Sequence, residues 1–73
     1  MENSENKYKI ILLEMIVANQ KLMFSTNNMN DVFYFTNVDT NLKEVYAKMF
    51  NCDFSDKKQK KQFEQELDKI RNR

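Results

Sequence analysis

Residues of the first third of the chain recur at helical spacing. One series, apolar but for Asn19, lies three or four residues apart and comprises Tyr8, Ile11, Leu12, Met15, Ile16, Asn19, Leu22 and Met23. A second series on another face comprises Ile10, Leu13, Val17 and Phe24. A helix that is apolar on two sides is usually covered by neighbours on both. The pattern predicts a central helix from about residue 6 to about residue 23, capped by Ser4 and preceded by a frayed segment, residues 1–5.

The next segment, residues 25–31, is polar and predicts a loop in which Asn27 or Asn28 adopts a left-handed conformation. It leads into "VFYFTN", residues 32–37, with Asn30 or Asp31 as a candidate cap. The β-branched and aromatic residues of this segment suit a short strand, whereas its polar start and the lack of a partner strand suit one or two helical turns. We take it as a short helix.

A third helix is predicted from about residue 41 to about residue 51. Asn41 and Glu44 have the spacing of a capping box, and Asp39 or Thr40 are alternative caps. One face of this segment is apolar and comprises Leu42, Val45, Tyr46, Met49 and Phe50. The turn that follows contains Cys52, and we expect Phe54 to pack inward.

The last predicted helix begins after Ser55 as its cap, with Asp56 in the first turn. Phe63, Leu67 and Ile70 form a stripe narrow enough for a helix that packs by one edge. The chain has no Gly and no Pro for tight hairpin turns. The 73 residues therefore predict one small all-α domain, a compact bundle of three to four short helices with no sheet.

Positive charge is concentrated in this last helix. On a helical wheel with Phe63 at zero and 100° per residue, most lysines of this helix lie between about 120° and about 240°, opposite the apolar stripe. Lys60 lies at the flank of the stripe. The candidate residues for binding a partner or nucleic acid are Lys57, Lys58, Lys60, Lys61, Lys69, Arg71 and Arg73. The alternative is a solvated surface in which Glu64 pairs with Lys60 or Lys61.

The charge distribution favours an anionic partner. Residues 57–73 hold seven positive and three negative charges, and residues 1–56 hold five positive and eight negative charges. Lysines at a helix N-terminus oppose the helix dipole by a few tenths of a kcal/mol each. A basic segment on an acidic body suits a nucleic acid above all, or an acidic protein surface.

Three aromatic residues are adjacent in "VFYF", residues 32–35. In a helix they cannot all face one core, so Phe33 or Tyr34 should be partly exposed. These two are the candidate interface aromatics, because Tyr and Phe carry contact energy well. The alternative is that so small a chain cannot bury all nine of its aromatic residues.

The residue types that carry catalysis are scarce. The chain has no His and no Gly-rich phosphate loop, and its single Cys52 has no candidate base nearby in sequence. We expect no enzymatic activity, no metal site and no cofactor. The apolar run "IILLEMIVA" contains Glu14 and is too short to span a bilayer. We expect no membrane partner and a location in the cytoplasm of a bacterial host cell.

Three segments resemble the C-terminal module of the RteC family, regulators of mobile-element excision in Bacteroidota. They are "LLEMIVANQKLMF", "NLKEVYAKMFNCDFSD" and "KKQKKQFEQEL", within about residues 9–71. The residues that fill the family's central "FNIDLGD"-like segment are Phe50, Asn51, Asp53, Phe54 and Asp56. The resemblance implies a small DNA-binding regulator.

In size and type the chain is also similar to the anti-CRISPR proteins of phages and integrated elements. Many of those are compact folds that inhibit a CRISPR nuclease by binding it or its guide RNA. This resemblance implies a protein that inhibits a host nucleic-acid-handling complex, with a host protein or ribonucleoprotein as the partner. It is the function we expect, with the DNA-binding regulator as the alternative. A third interpretation is an obligate homodimer with a purely structural interface.

Overall fold

The part of the chain that the structure describes folds into three helices. A computed structural model describes the backbone of residues 2–73 and the side chains of residues 6–73. The helices are α1 (Glu2–Ser25), α2 (Met29–Met49) and α3 (Lys57–Arg71), and the described residues contain no strand. The predicted all-α bundle is confirmed. None of these helices combines the length and the apolar character that crossing a membrane requires.

The first helix is longer than its periodicity predicts. α1 begins at Glu2 and not near residue 6, so Ser4 lies inside the helix and not at its cap. Of the segment predicted to fray, Met1 lies outside the described residues and residues 2–5 have helical backbone. The central position is confirmed, because α2 and α3 both pack against α1. Its buried side chains are Leu12, Leu13, Ile16, Val17 and Asn19.

The second helix merges two predicted helices into one. The predicted break near residues 38–41 does not exist, and Asn41 lies in mid-helix. The Thr36 and Thr40 hydroxyls donate to carbonyls four residues earlier, Val32 (2.8 Å) and Thr36 (3.1 Å). Asp39 pairs with Lys43 one turn later (2.9 Å). Asp39 and Thr40, two of the three polar residues taken for caps, therefore bond to groups of the same continuous helix.

The loop before α2 is shorter than predicted, residues 26–28. Asn28 caps the helix through its side chain, which accepts from the Asn30 amide at 2.9 Å. Its φ of −96° is not left-handed, so the predicted left-handed loop residue is not Asn28. Asn27 does not have a positive φ either, and the cap is not Asn30 or Asp31. Three residues are enough because the two helices run antiparallel and adjacent.

A left-handed asparagine instead ends α2. Asn51 has φ 52°, the one positive φ of a residue other than Gly in the described backbone. The Phe50 amide donates to the Tyr46 carbonyl (3.0 Å), and the Cys52 amide donates to the Ala47 carbonyl (3.0 Å). The second bond spans six residues, as in a Schellman motif, where Asn can replace the usual Gly. This cap turns the chain toward α3.

Polar contacts set the register of α1 against α2. The buried Asn19 amide donates to the Phe35 carbonyl (2.9 Å), and the Gln20 amide donates to Asp39 (3.2 Å). Because a buried polar group without a partner is destabilising, these bonds favour one alignment of the hairpin.

Aromatic rings close the core between α2 and α3. The Tyr46 ring lies 4.9 Å from Phe63 and 5.1 Å from Phe50, and Phe54 lies 4.7 Å from Phe63. Phe54 is partly buried against the core, as expected. Tilted and edge-to-face pairs of this kind stabilise a core by about 0.5–1.5 kcal/mol each beyond area burial.

Candidate anion-binding face

The turn before α3 decides where the basic helix begins. The Asp53 carboxylate accepts from the Ser55 amide (2.9 Å) and hydroxyl (2.6 Å). These hydrogen bonds to Ser55, the hydroxyl bond above all, lower the pKa of Asp53. The N-cap is Asp56 and not Ser55, because the Asp56 side chain accepts from the Lys58 amide at 3.0 Å. A carboxylate at this cap offsets part of the unfavourable interaction of the following lysines with the helix dipole.

The apolar stripe of α3 holds the helix to the body as predicted. Phe63 and Leu67 are 3% and 0% exposed, and Ile70 packs partly buried against the same core. Burying a large side chain of this kind contributes about 1.5–3 kcal/mol. The orientation of α3 is thereby determined, and the side opposite the stripe faces solvent.

Four lysines form what we call the lysine face: Lys57, Lys58, Lys60 and Lys61. All four are exposed, and they occupy about 6 Å of helix axis. None of them pairs with an acidic side chain among residues 6–73. The predicted alternative pairing of Glu64 with Lys60 or Lys61 is absent from the same residues. Their ammonium groups are free for an external anion.

The acidic residues of α3 contact other partners. Glu66 pairs with Lys9 of α1 at 3.5 Å, and Asp68 pairs with Arg71 at 2.7 Å. The first pair ties α3 to α1, and the second offsets the charge of Arg71 at the C-terminal end of α3. Positive charge without a partner is therefore concentrated at the N-terminal end of the helix.

The remaining predicted cations do not join the lysine face. Lys69 is exposed but lies about 12 Å along the axis from Lys61. Arg71 contacts Asp68 and the Gln20 side chain, and Arg73 pairs with Glu14 of α1 at 2.6 Å. Both arginines thus contact side chains of α1. The structure separates the seven predicted residues into an open group of four, Lys69, and two paired arginines.

A shallow depression lies beside the lysine face. Its lining consists of Lys58, Lys61, Gln62 and Gln65. Two ammonium groups and two amide side chains provide donors for a phosphate oxygen. Sequence reasoning missed the two glutamines, although their spacing from Lys58 and Lys61, one helical turn, places them on the same face.

Sequence reasoning also missed a polar contact beside the aromatic core, between Tyr46 and Glu66. The Tyr46 hydroxyl donates to Glu66 at 3.1 Å, and burial, with the Glu66 charge second, raises the pKa of Tyr46 above its ordinary 10. Burial likewise raises the pKa of the neighbouring Cys52 thiol. Glu66 borders the apolar stripe of α3 on the helical wheel, so its carboxylate lies close to the core. The sequence could have indicated from this position that the carboxylate needs a hydrogen-bond or charged partner.

The two candidate interface aromatics are exposed, Phe33 at 62% and Tyr34 at 66%. Consecutive residues of a helix point about 100° apart, so the two rings face different directions. Tyr34 makes an edge contact with the Phe35 ring (5.7 Å). The expected exposure is confirmed, but the two residues do not form one surface.

Neither known protein families nor curated proteins nor solved structures show a significant similarity to this chain.

Proposed function

We propose that this protein is a non-enzymatic binding protein that uses the lysine face to contact a nucleic acid. Through this contact the protein inhibits a host nucleic-acid-handling complex. In the most specific form of the proposal, that complex is a CRISPR nuclease effector with its guide RNA. The observation that carries the proposal is a group of four exposed lysines with no acidic partner among residues 6–73, on a helix held by Phe63 and Leu67.

Geometry supports a polyanion over a single carboxylate. Four ammonium groups within about 6 Å of helix axis match closely spaced phosphates better than one acidic side chain. Each phosphate contact releases counterions, so affinity depends steeply on salt. Four contacts give modest affinity at physiological salt, which suits a nucleic acid that is already bound and ordered in a protein complex.

The test compares two triple variants of equal charge change. Lys57, Lys58 and Lys61 are changed to Gln in one, and Lys7, Lys21 and Lys48, exposed lysines of α1 and α2, are changed to Gln in the other. We measure binding to single-stranded RNA, to duplex DNA and to a nuclease–guide RNA complex across salt concentrations. The α3 variant should make the slope of log affinity against log salt less steep, by about two for single-stranded RNA and by nearly three for duplex DNA. The control should leave the slope near the wild-type value.

The pattern of losses separates the candidate functions. Loss of binding to the nuclease–guide complex, or to its RNA, supports the inhibitor. Loss confined to free duplex DNA instead indicates the regulator that resembles the RteC module. Equal effects of the two variants would contradict the proposal, because net charge and not the lysine face would then control binding.

A further inference from the structure

A cavity lies between the end of α2 and the side of α3, next to the lysine face. Its volume is about 130 Å³, and three aromatic side chains, Tyr46, Phe50 and Phe63, form part of its lining. A cavity of about 150 Å³ in another protein binds benzene. This cavity therefore has room for a single six-membered ring, and it is too small for a drug-sized ligand, which needs about 300 Å³ or more.

Polar side chains make up most of the remaining lining. The Glu66 carboxylate accepts from the Tyr46 hydroxyl at 3.1 Å and pairs with the Lys9 ammonium group at 3.5 Å. The side chains of two exposed residues, Asn51 and Gln62, add an amide each. An amide both donates and accepts hydrogen bonds. Donors and acceptors beside aromatic rings are the groups that recognise an unstacked nucleobase.

Hydrogen bonds of Gln59 fix the wall of the cavity that faces the α2–α3 turn. The Gln59 side-chain carbonyl accepts from the Asp53 amide at 2.8 Å, and its amide group donates to the Asp56 carboxylate at 3.0 Å. These bonds tie the turn to the start of α3. Because this part of the lining is held in place before a ligand arrives, binding requires little ordering of the protein.

The cavity and the lysine face are neighbours around α3. On the helical wheel with Phe63 at zero, the polar α3 residues of the cavity lie between about −40° and about −100°. Lys58 and Lys61 come next, at about −140° and about −200°. Gln62 lines both the cavity and the depression that contains these two lysines. Lys58 precedes Gln62 by about 6 Å along the axis, so a phosphate held at Lys58 has its sugar and base within reach of the cavity.

We infer, building on the proposed function, that the cavity binds one unpaired pyrimidine base of a single strand whose phosphates contact Lys58 and Lys61. A base inside a duplex is stacked and paired, so it cannot enter a protein cavity without leaving the duplex. A purine has two fused rings and exceeds the space available. A basic surface for phosphates beside aromatic rings for bases is the arrangement that binds single strands. The ligand of the lysine face is therefore a single strand and not a duplex.

Cys52 reports whether the cavity is occupied. It lines the cavity and is the one cysteine of the chain, so its rate of reaction with the uncharged reagent N-ethylmaleimide follows access to the cavity. The probes are hexauridylate, hexaadenylate and an abasic strand of the same length, which keeps the phosphates and lacks the bases. Hexauridylate should slow the reaction in proportion to the fraction of protein bound, and the other two strands should not.

Affinities of the same strands give the second measurement. Hexauridylate should bind about fivefold or more tightly than the abasic strand, the lower end of the effect of stacking one base. Asn51→Gly suits the left-handed backbone at this position, φ 52°, and removes an amide from the cavity. It should weaken hexauridylate binding about fivefold and leave abasic-strand binding unchanged. The matched control, Asn27→Gly in the exposed loop before α2, should change neither.

The outcomes separate this inference from the proposed function. Equal affinity and equal Cys52 reactivity with hexauridylate and the abasic strand would overturn the base site, while a lysine face that needs only phosphates would stand. Failure of hexauridylate to bind would also overturn the base site. If Lys57, Lys58 and Lys61 are changed to Gln and affinity for both strands is unchanged, the proposed function itself is contradicted.

Discussion

The two sides of the α1–α2 hairpin are built from similar residues but differ in burial. On the covered side Leu13, Val17 and Tyr46 are buried beneath α3 and its connecting turn. On the other side, which we call the bare face, Ile11, Leu22 and Val45 are equally apolar but about half exposed. Composition does not separate them. The difference arises because one side has the stripe of Phe63, Leu67 and Ile70 against it, so apolar periodicity shows which surfaces need a partner and not whether the chain supplies one.

The largest effect on stability is expected from a substitution in the core of the covered side. Leu67→Ala removes a fully buried side chain and should lower the free energy of unfolding by about 2–5 kcal/mol, measured by urea denaturation. Leu22→Ala makes the same chemical change on the bare face. This substitution should change the free energy of unfolding by no more than about 0.5 kcal/mol. Equal losses in both variants would show that the two sides do not differ in packing.

A smaller effect on stability is expected from removing the buried Tyr46 hydroxyl on the covered side. Tyr46→Phe keeps the ring and removes its hydroxyl bond to Glu66, and should lower the free energy of unfolding by about 1 kcal/mol. Its pH dependence follows from the raised pKa of Tyr46, since the unfolded chain loses this proton near pH 10 before the folded protein does. Stability from this group is complete below that pH and falls as the pH rises beyond it.

Thermal denaturation at several alkaline pH values measures this dependence. The wild type should lose stability more steeply than Tyr46→Phe above pH 10. Parallel curves for the two proteins would mean that the hydroxyl is equally solvated in the folded and unfolded states.

The smallest expected effect lies in the exposed turn that carries the chain to α3. Ser55→Ala removes the hydroxyl bond to Asp53, so the lowered pKa of Asp53 should return part of the way toward its ordinary 3.8. The return is partial because the Ser55 amide still donates. The lowered pKa adds stability above about pH 4 that is lost as the pH falls, so the variant should lose slightly less stability in acid.

NMR titration of the Asp53 side-chain carboxyl carbon measures the shift. An unchanged midpoint in Ser55→Ala would show that the hydroxyl bond does not hold the carboxylate in solution. The expected order of the three effects follows burial, from Leu67 through Tyr46 to Asp53.

Sequence periodicity was sufficient for α3 because its stripe is narrow and unambiguous. The outward position of Lys57, Lys58 and Lys61 followed from Phe63 and Leu67 by helical geometry alone. The cap was misplaced by one residue, since Ser55 and Asp56 are both good caps and the Asp53 turn decides between them.

The sequence was misleading in α2 for a local reason. Asp39, Thr40 and Asn41 have the composition of a helix start, but no Gly or Pro interrupts the chain there. Tertiary contacts favour continuation, because Asp39 accepts from Gln20 of α1 and pairs with Lys43. Cap propensity, about 1 kcal/mol, is too small to override the packing of a long helix against its neighbour.

By itself the sequence determined the helical class, the apolar faces of each helix and the outward lysines, because these depend on spacing along one helix. Only the tertiary structure decided which face of α1 receives α3, that Arg71 and Arg73 turn back onto the body, and that a second apolar face stays open. Those outcomes depend on contacts between residues distant in sequence, such as Glu14 with Arg73 and Lys9 with Glu66, and spacing along a single helix carries no information about them.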